Sequence, residues 1–176
     1  MALETIPVER LQLRPHGLWN DEWFLLTSGD FAAGSYNTMT VSWGALGVLW
    51  NRPIAMVVVR PQRYTHLFME RSADFTLCAF PERCHGALEL LGSRSGRSGD
   101  KIGASGLTAC ASSTVRSPSF AEAKLVLECR KIYRDALDPA GFLDPSIASN
   151  YAARDYHSLY LGEIVEARGS SEYHAS

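Results

Sequence analysis

The feature that constrains this chain most is a short apolar run that stops at a charged corner. Residues 53–59 read Pro-Ile-Ala-Met-Val-Val-Val, and Arg60-Pro61 follows at once. A continuous apolar run of this length, rich in β-branched residues, is typical of a central strand with both faces buried. We therefore predict such a strand over 53–59, with charged side chains at its carboxyl end.

The sequence after this strand has the spacing of a helix. Tyr64, Leu67, Phe68 and the aliphatic stem of Arg71 fall at i, i+3, i+4 and i+7, which predicts one apolar helical face. Pro61 suits the first helical position, because its missing N–H costs nothing there. The sequence therefore predicts a corner between strand and helix.

This corner carries the strongest chemical signal in the chain. A helix N-terminus offers free N–H groups and the positive end of the helix dipole, and Arg60 and Arg63 would add full charges. The Thr65 hydroxyl would add one more donor. These groups fit a phosphate site, but a capped corner with two solvated arginines explains them about as well when the corner is judged alone.

Strand patterns dominate the rest of the chain. Residues 37–43 alternate, with Met39, Val41 and Trp43 on one face and a ladder of hydroxyls on the other. A second helix is predicted after Pro81. The predicted fold class is mainly β with short helices, arranged as a β-barrel or an α+β sheet. Further strands are predicted over 23–27, 75–80, 123–132 and 158–165.

Composition narrows the class of protein. The chain has 176 residues, 46% of them apolar, and a net charge of -2, so we expect one domain over 1–176 with its core at about 20–167. The near-neutral charge argues against a nucleic-acid partner. No apolar run approaches the roughly 20 residues of a membrane span, and residues 1–10 carry charges where a signal peptide needs apolar residues. We therefore expect no membrane partner and a cytoplasmic location.

The four cysteines form no CxxC pair and no other zinc-type spacing, so no metal site is predicted. Cys78 and Cys129 stand in strand patterns and fit core positions. Cys84 stands beside His85, but neighbours in sequence need not face each other. We therefore interpret Cys84 as a surface or helix cysteine.

A polar stretch over 92–101 reads Gly-Ser-Arg-Ser-Gly-Arg-Ser-Gly-Asp-Lys. It is either a flexible linker or a second loop of anion donors. Its spacing is not that of a Walker A loop, which disfavours nucleotide hydrolysis. No GxGxxG motif follows a predicted strand either, so a Rossmann domain is not supported.

Five short motifs then occur in order along the chain. They are Asn-Thr-Met-Thr-Val-Ser-Trp-Gly over 37–44, Asn-Arg-Pro over 51–53, Arg-Pro-Gln-Arg-Tyr-Thr over 60–65, Gly-Ser-Arg-Ser-Gly-Arg over 92–97 with Asp100-Lys101, and Asp-Tyr-His over 155–157 with Gly-Glu-Ile over 162–164. In these motifs, and over about 23–165, the chain resembles the flavin reductase-like family, especially its flavoredoxin branch.

The resemblance implies a fold, a cofactor and a set of site residues. The fold is an FMN-binding split β-barrel that forms a homodimer, with the flavin near the subunit interface. His157 would stand on the nicotinamide or substrate side of the flavin. The isoalloxazine edge would meet the backbone and hydroxyl groups of Asn37, Thr38, Met39 and Thr40. The phosphate and ribityl chain would meet Arg60, Arg63, Tyr64, Thr65, Ser95 and Lys101.

The function implied is an oxidoreductase that passes electrons from NADH or NADPH through bound FMN. A flavin accepts the hydride itself, so the chain needs no acid–base pair, which agrees with the absence of a catalytic triad or HExxH motif. The alternative is an FMN-containing electron carrier reduced by a redox protein partner. A third interpretation is a barrel that binds no flavin and uses the corner structurally.

Overall fold

The structure, a computed structural model, describes residues 3–174, and its main feature is an antiparallel sheet of eight strands. The strands are β1 (Glu4–Thr5), β2 (Phe24–Asp30), β3 (Ser35–Val41), β4 (Gly44–Leu49), β5 (Arg52–Val59), β6 (Asp74–Ala79), β7 (Ala109–Cys110), β8 (Ser119–Phe120), β9 (Leu125–Ala136) and β10 (Ser158–Gly169). Neighbours in the large sheet follow the order β3-β2-β6-β9-β10-β5-β4, and β1 also pairs with β10. Strands β7 and β8 form a separate ribbon.

Short helices connect these strands. They are α1 (Pro15–Gly17), which continues as a π-helical turn over Leu18–Glu22, α2 (Tyr64–Arg71), α3 (His85–Ser93) and α4 (Lys101–Ser105). None of the helices within residues 3–174 is long and apolar enough to cross a membrane. The predicted fold class, mainly β with short helices, is confirmed.

The apolar run over 53–59 forms β5, between β10 and β4. Ala55, Val57 and Val59 on one face are fully buried, as predicted. On the other face, Met56 and Val58 are only half-buried. The prediction of burial on both faces is therefore wrong at these two positions, because a cleft opens above Val58.

The helix after β5 begins later than predicted and turns a different face to the sheet. Residues 60–63 form a hydrogen-bonded turn, with the Arg63 amide donating to the Arg60 carbonyl at 3.0 Å, and α2 then begins at Tyr64. Pro61 therefore lies before the helix. The predicted contact residue Leu67 is 38% exposed. Thr65 and Met69 are buried instead, because α2 packs against β2 and β3.

The polar stretch over 92–101 folds into capped turns against the corner, which favours the loop interpretation over the flexible linker. A turn of 3₁₀-helix covers Gly96–Ser98, and the Ser95 hydroxyl accepts from the Arg97 amide at 3.2 Å. Asp100 then caps α4 by accepting from the Gly103 amide at 2.8 Å. Local side-chain caps of this kind fix the backbone of a polar loop.

The core lies on both faces of the sheet. Phe24 and Leu26 pack in one apolar cluster and Leu25 in another, because successive side chains of a strand point to opposite faces. Cys78 and Cys129 are fully buried, as predicted.

Cys84 stands in a 3₁₀ turn, Glu82–Cys84, that leads into α3, so the helix alternative of its prediction is confirmed and the surface alternative is wrong. It is buried in the second cluster, on the side of α3, and burial raises its pKa. The side chain is therefore a core group, and not an activated thiol.

The long connection from β9 to β10 covers residues 137–157. It contains two 3₁₀ segments, Pro139–Gly141 and Pro145–Tyr151, which begin at the Asp-Pro turns of the sequence. Asp138 accepts from the Ala140 amide and Asp144 from the Ser146 amide, each at 2.9 Å. We call this segment the β9–β10 connection; its last residue is His157.

Candidate functional site

A cleft of about 370 Å³ opens where the end of β3 meets the corner after β5. Three of the sequence motifs, distant along the chain, meet there. The volume lies in the usual range for small-molecule pockets, roughly 300 to 1,000 Å³. The cleft is lined by Met39, Thr40, Val41, Ser42, Trp43, Val58, Arg60, Gln62, Arg63 and His157.

Arg60 lines the cleft, but its guanidinium already has partners. It donates to Asp155 Oδ2 at 2.6 Å and to the Asn150 carbonyl at 2.8 Å, and it lies 5.2 Å from the centre of the Tyr151 ring. Bonds from Arg60 and Gln62 hold the pKa of Asp155 below its ordinary value. Arg60 therefore fastens the β9–β10 connection to the corner; it is neither a solvated arginine nor a free phosphate ligand.

Arg63, three residues later, is the cation of the corner whose side chain has no hydrogen-bond or ion-pair partner within residues 3–174. It is half-buried and forms the N-cap of α2. Burial, and then the charge of Arg63, lower the pKa of Lys101 to about 8. Two cations near one helix N-terminus make a region of positive potential that attracts an anion.

Asn37 and Thr65 form a buried pair behind the cleft. Asn37 Nδ2 donates to Thr65 Oγ1 at 2.7 Å, and both residues are almost inaccessible. This bond fastens α2 to β3. A Cβ atom at Gly96 would lie 2.3 Å from Asn37 Oδ1, so the polar loop packs directly on this pair.

The hydroxyls of Thr38 and Thr40 have protein partners, which corrects the expectation that they reach a ring. Thr38 is fully buried; its Oγ1 accepts from Thr27 at 2.9 Å and donates to the Leu26 carbonyl at 3.0 Å. Thr40 Oγ1 donates to the Leu88 carbonyl of α3 at 2.5 Å. The ladder therefore joins strands and helix. Ser42, the third residue of the ladder, is exposed and lines the cleft.

The polar loop forms a second depression, of about 380 Å³, lined by Arg94, Ser95, Ser98, Gly99, Asp100 and Lys101. Lys101 is buried there, and its Nζ donates to the carbonyls of Leu91 at 2.8 Å and Arg94 at 3.0 Å. Two of its three N–H donors therefore hold the end of α3. The third is left for another acceptor.

Arg97 connects this loop to the corner, a role that the sequence did not indicate. Its guanidinium lies 4.7 Å from the centre of the Tyr64 ring and donates to the Gln62 carbonyl at 3.2 Å. Tyr64 is thus covered by a cation on the outer side of the corner. Ser95 stays exposed on the loop.

His157, at the end of the β9–β10 connection, also lines the cleft. It is 7% exposed, its Nδ1 lies 2.8 Å from the Tyr151 hydroxyl, and its ring centre lies 5.4 Å from that of Trp43. Burial, and then the charge of Arg60, lower the pKa of His157 to about 4. The imidazole is therefore neutral at pH 7.

Three residues of this wall were missed as site residues from the sequence. The sequence pattern places Trp43 only on the apolar face of its strand. Asp155 stood in the Asp-Tyr-His motif, but its partner Arg60 is distant in sequence. Tyr151 lies in an irregular connection, where neither spacing nor composition marks a role.

Comparison with known proteins decides the family. A family model of the flavin reductase like domain matches residues 22–175. The chain belongs to this family. No curated protein matches it. Family membership therefore rests on the domain match, which covers most of the chain, and it confirms the resemblance seen in the sequence.

Solved structures of related fold agree. An FMN-binding domain of a flavin reductases-like enzyme from Shewanella baltica OS155 superposes with a TM-score of 0.71 at 18% identity, covering 97% of this chain and 78% of that chain. Flavoredoxin of Desulfovibrio vulgaris (Miyazaki F) superposes with a TM-score of 0.67 at 19% identity, covering 92% of this chain and 75% of that chain. A structure described as having a split barrel domain, from Shewanella frigidimarina NCIMB 400, superposes with a TM-score of 0.67 at 18% identity, covering 93% of this chain and 77% of that chain. The predicted split β-barrel fold is confirmed.

Proposed function

We propose that this flavin reductase-like chain binds FMN in the cleft and passes electrons to it from NADH or NADPH. The observation that carries the proposal is the meeting of the β3 wall, the Arg63 corner and His157 around one cleft of about 370 Å³. The family match supplies the cofactor class.

The residues at the corner fit the phosphate of FMN. Arg63 has no side-chain partner within residues 3–174 and stands at the N-terminus of α2, where free N–H groups favour an anion, and Lys101 uses two of its three donors within the described residues. Ser95, which is exposed on the polar loop, adds a neutral donor, whereas the Thr65 hydroxyl lies buried against Asn37 behind the cleft. Arg60, in contrast, would support the site by holding the β9–β10 connection.

The walls of the cleft fit the ring system. The backbone of β3 would face the isoalloxazine edge at Met39 and Thr40, and His157 and Trp43 line the same cleft. Bound FMN supplies the hydride and electron chemistry. The chain then has to orient the ring, neutralise the phosphate and limit the access of water.

The test is anaerobic reduction of the reconstituted protein. Purified protein with FMN should carry yellow flavin through gel filtration and be bleached by NADH or NADPH. Failure to retain flavin would remove the cofactor assignment, and retention without bleaching by either nucleotide would remove the donor assignment.

An electron carrier reduced by a protein partner is the second candidate. The observation that favours it is Trp43, which is 48% exposed at the mouth of the cleft. An exposed aromatic side chain beside a redox site suits contact with a partner protein. Bleaching by a reduced redox protein, and not by a nicotinamide nucleotide, would decide for the carrier.

We also infer that the chain is a homodimer, joined through the β4–β5 hairpin. Val48 and Trp50 on this hairpin are 76% and 58% exposed, and Tyr133 lies against Trp50 with ring centres 6.1 Å apart. An apolar surface of this kind favours a second copy of the chain. The single domain and the cytoplasmic location stay predictions.

A further inference from the structure

The hydrogen bond between Tyr151 and His157 has one favourable direction. The two side chains are 5% and 7% exposed, and Tyr151 Oη lies 2.8 Å from His157 Nδ1. The hydroxyl has no other hydrogen-bond partner within residues 3–174. Burial raises the pKa of Tyr151, so the hydroxyl keeps its proton. A buried O–H without an acceptor costs free energy, so Tyr151 donates and Nδ1 accepts.

This direction determines the tautomer of His157. A neutral imidazole that accepts at Nδ1 carries its proton on Nε2. Nε2 makes no hydrogen bond with residues 3–174 and is not buried, and His157 lines the cleft. The charged groups around the ring are Arg60, Asp155 and Arg63, and their net positive charge opposes a second proton.

The β9–β10 connection holds Tyr151 in place. The Arg60 guanidinium lies over its ring and bonds the neighbouring Asn150 carbonyl. Phe142 stacks on the same ring with centres 5.7 Å apart, and Tyr156 packs at 5.0 Å. The hydroxyl therefore has little freedom to leave His157.

We propose that Tyr151 is a positioning residue, which holds His157 as a neutral Nε2–H donor toward an amide-type carbonyl oxygen of the molecule bound in the cleft. The donor part rests on the proposed function, since the isoalloxazine ring and nicotinamide both carry such an oxygen. The tautomer part rests on the chain alone. The donor gains strength as negative charge grows on the oxygen it contacts.

The test is ¹⁵N NMR of the histidine rings in the flavin-free protein. The wild type should show a protonated Nε2 and an unprotonated Nδ1 on His157, unchanged between about pH 6 and pH 8. In Tyr151→Phe the two tautomers should mix. The matched control is Tyr156→Phe, which removes a neighbouring hydroxyl without a bond to His157 and should keep the wild-type pattern. A wild-type ring protonated at Nδ1, or a mixed one, would overturn the proposal without need of any variant.

Titration then separates the two sources of the carbonyl. Movement of the Nε2–H resonance on adding FMN would assign the isoalloxazine oxygen, and movement only after oxidised nicotinamide nucleotide would assign nicotinamide. Movement at neither step, with flavin bound, would overturn the donor part. Tyr151→Phe should slow flavin reduction by about two- to tenfold, the contribution of one neutral hydrogen bond. FMN affinity should stay unchanged if the acceptor is nicotinamide, and should fall by a similar factor if the acceptor is the isoalloxazine oxygen. If the protein binds no flavin, the proposed function is wrong, but NMR of the flavin-free protein still tests the tautomer of His157.

Discussion

Arg60 and Arg63 have the same chemistry and stand three residues apart, yet the fold gives them different partners. Arg60 donates to Asp155 on the β9–β10 connection, whereas Arg63 has no such partner within residues 3–174 and its charge helps to lower the pKa of Lys101. The sequence predicted a positive corner, and this part is correct. It could not assign the two arginines, because the choice depends on Asp155, which is distant along the chain and comes close only through the pairing of β5 with β10.

The first prediction concerns Arg60→Ala. Loss of the ion pair should speed amide hydrogen exchange over residues 145–157 and lower the melting temperature at pH 7. Because the folded pKa of Asp155 is depressed, this stabilisation is present above its ordinary pKa of about 3.9 and is lost as pH falls through the lower folded pKa. The melting temperatures of variant and wild type should therefore converge in acid. Equal exchange in the two proteins at pH 7 would contradict the role given to Arg60.

At the scale of elements, the alternating and continuous apolar patterns located the main strands, because burial of one or both faces leaves a local signature. Interactions between distant elements leave no such local signature in the sequence. Glu128, for example, stands in an apolar strand and is fully buried. Its carboxylate accepts from the amides of Ser113 and Thr114 and pairs with Arg168 at 3.1 Å. The start of α2 was misplaced for a similar reason, since Thr65 is buried by its bond to Asn37.

The second prediction concerns the packing of the polar loop on the corner. In Gly96→Ala the new methyl group would meet Asn37 Oδ1 and the Tyr64 ring, so the loop must move outward. Ser95 and Lys101 would move with it, and FMN affinity should fall several-fold, roughly the contribution of one or two hydrogen bonds. The control is Gly86→Ala in α3, where a Cβ has open space. Calorimetric titration measures the FMN affinity of both variants. Equal affinities would contradict a contribution of the polar loop to FMN binding.

The exposed apolar β4–β5 hairpin is the feature of the whole molecule that bears most on its oligomeric state. Its tip, Trp50-Asn51, has positive φ at both residues, 53° and 56°. This turn suits the twist of a hairpin, but a bulky residue in the left-handed region is strained. Trp50 is also 58% exposed, and it is the residue that the proposed dimer contact would cover.

The third prediction follows from this strain. Trp50→Asn places a residue that tolerates positive φ in the turn, so the isolated subunit should unfold at the same or higher urea concentration. The dimer should dissociate at protein concentrations at least about tenfold higher, as expected for loss of a buried aromatic anchor. Analytical ultracentrifugation measures the dissociation constant. Wild type that sediments as a monomer, or a variant with unchanged dissociation, would contradict a dimer through this hairpin.

FMN is proposed to bind in the cleft with its phosphate on Arg63. Titration of flavin fluorescence against wild type, Arg63→Ala and Arg71→Ala tests it most directly, because Arg71 lies at the far end of the same helix. Charge-assisted contacts to phosphate contribute about 1.5 to 3 kcal/mol, so Arg63→Ala should weaken FMN binding by roughly 10- to 100-fold, and Arg71→Ala should bind as wild type does. Equal FMN affinity in wild type and Arg63→Ala, or no binding by the wild type, would contradict a phosphate site at Arg63.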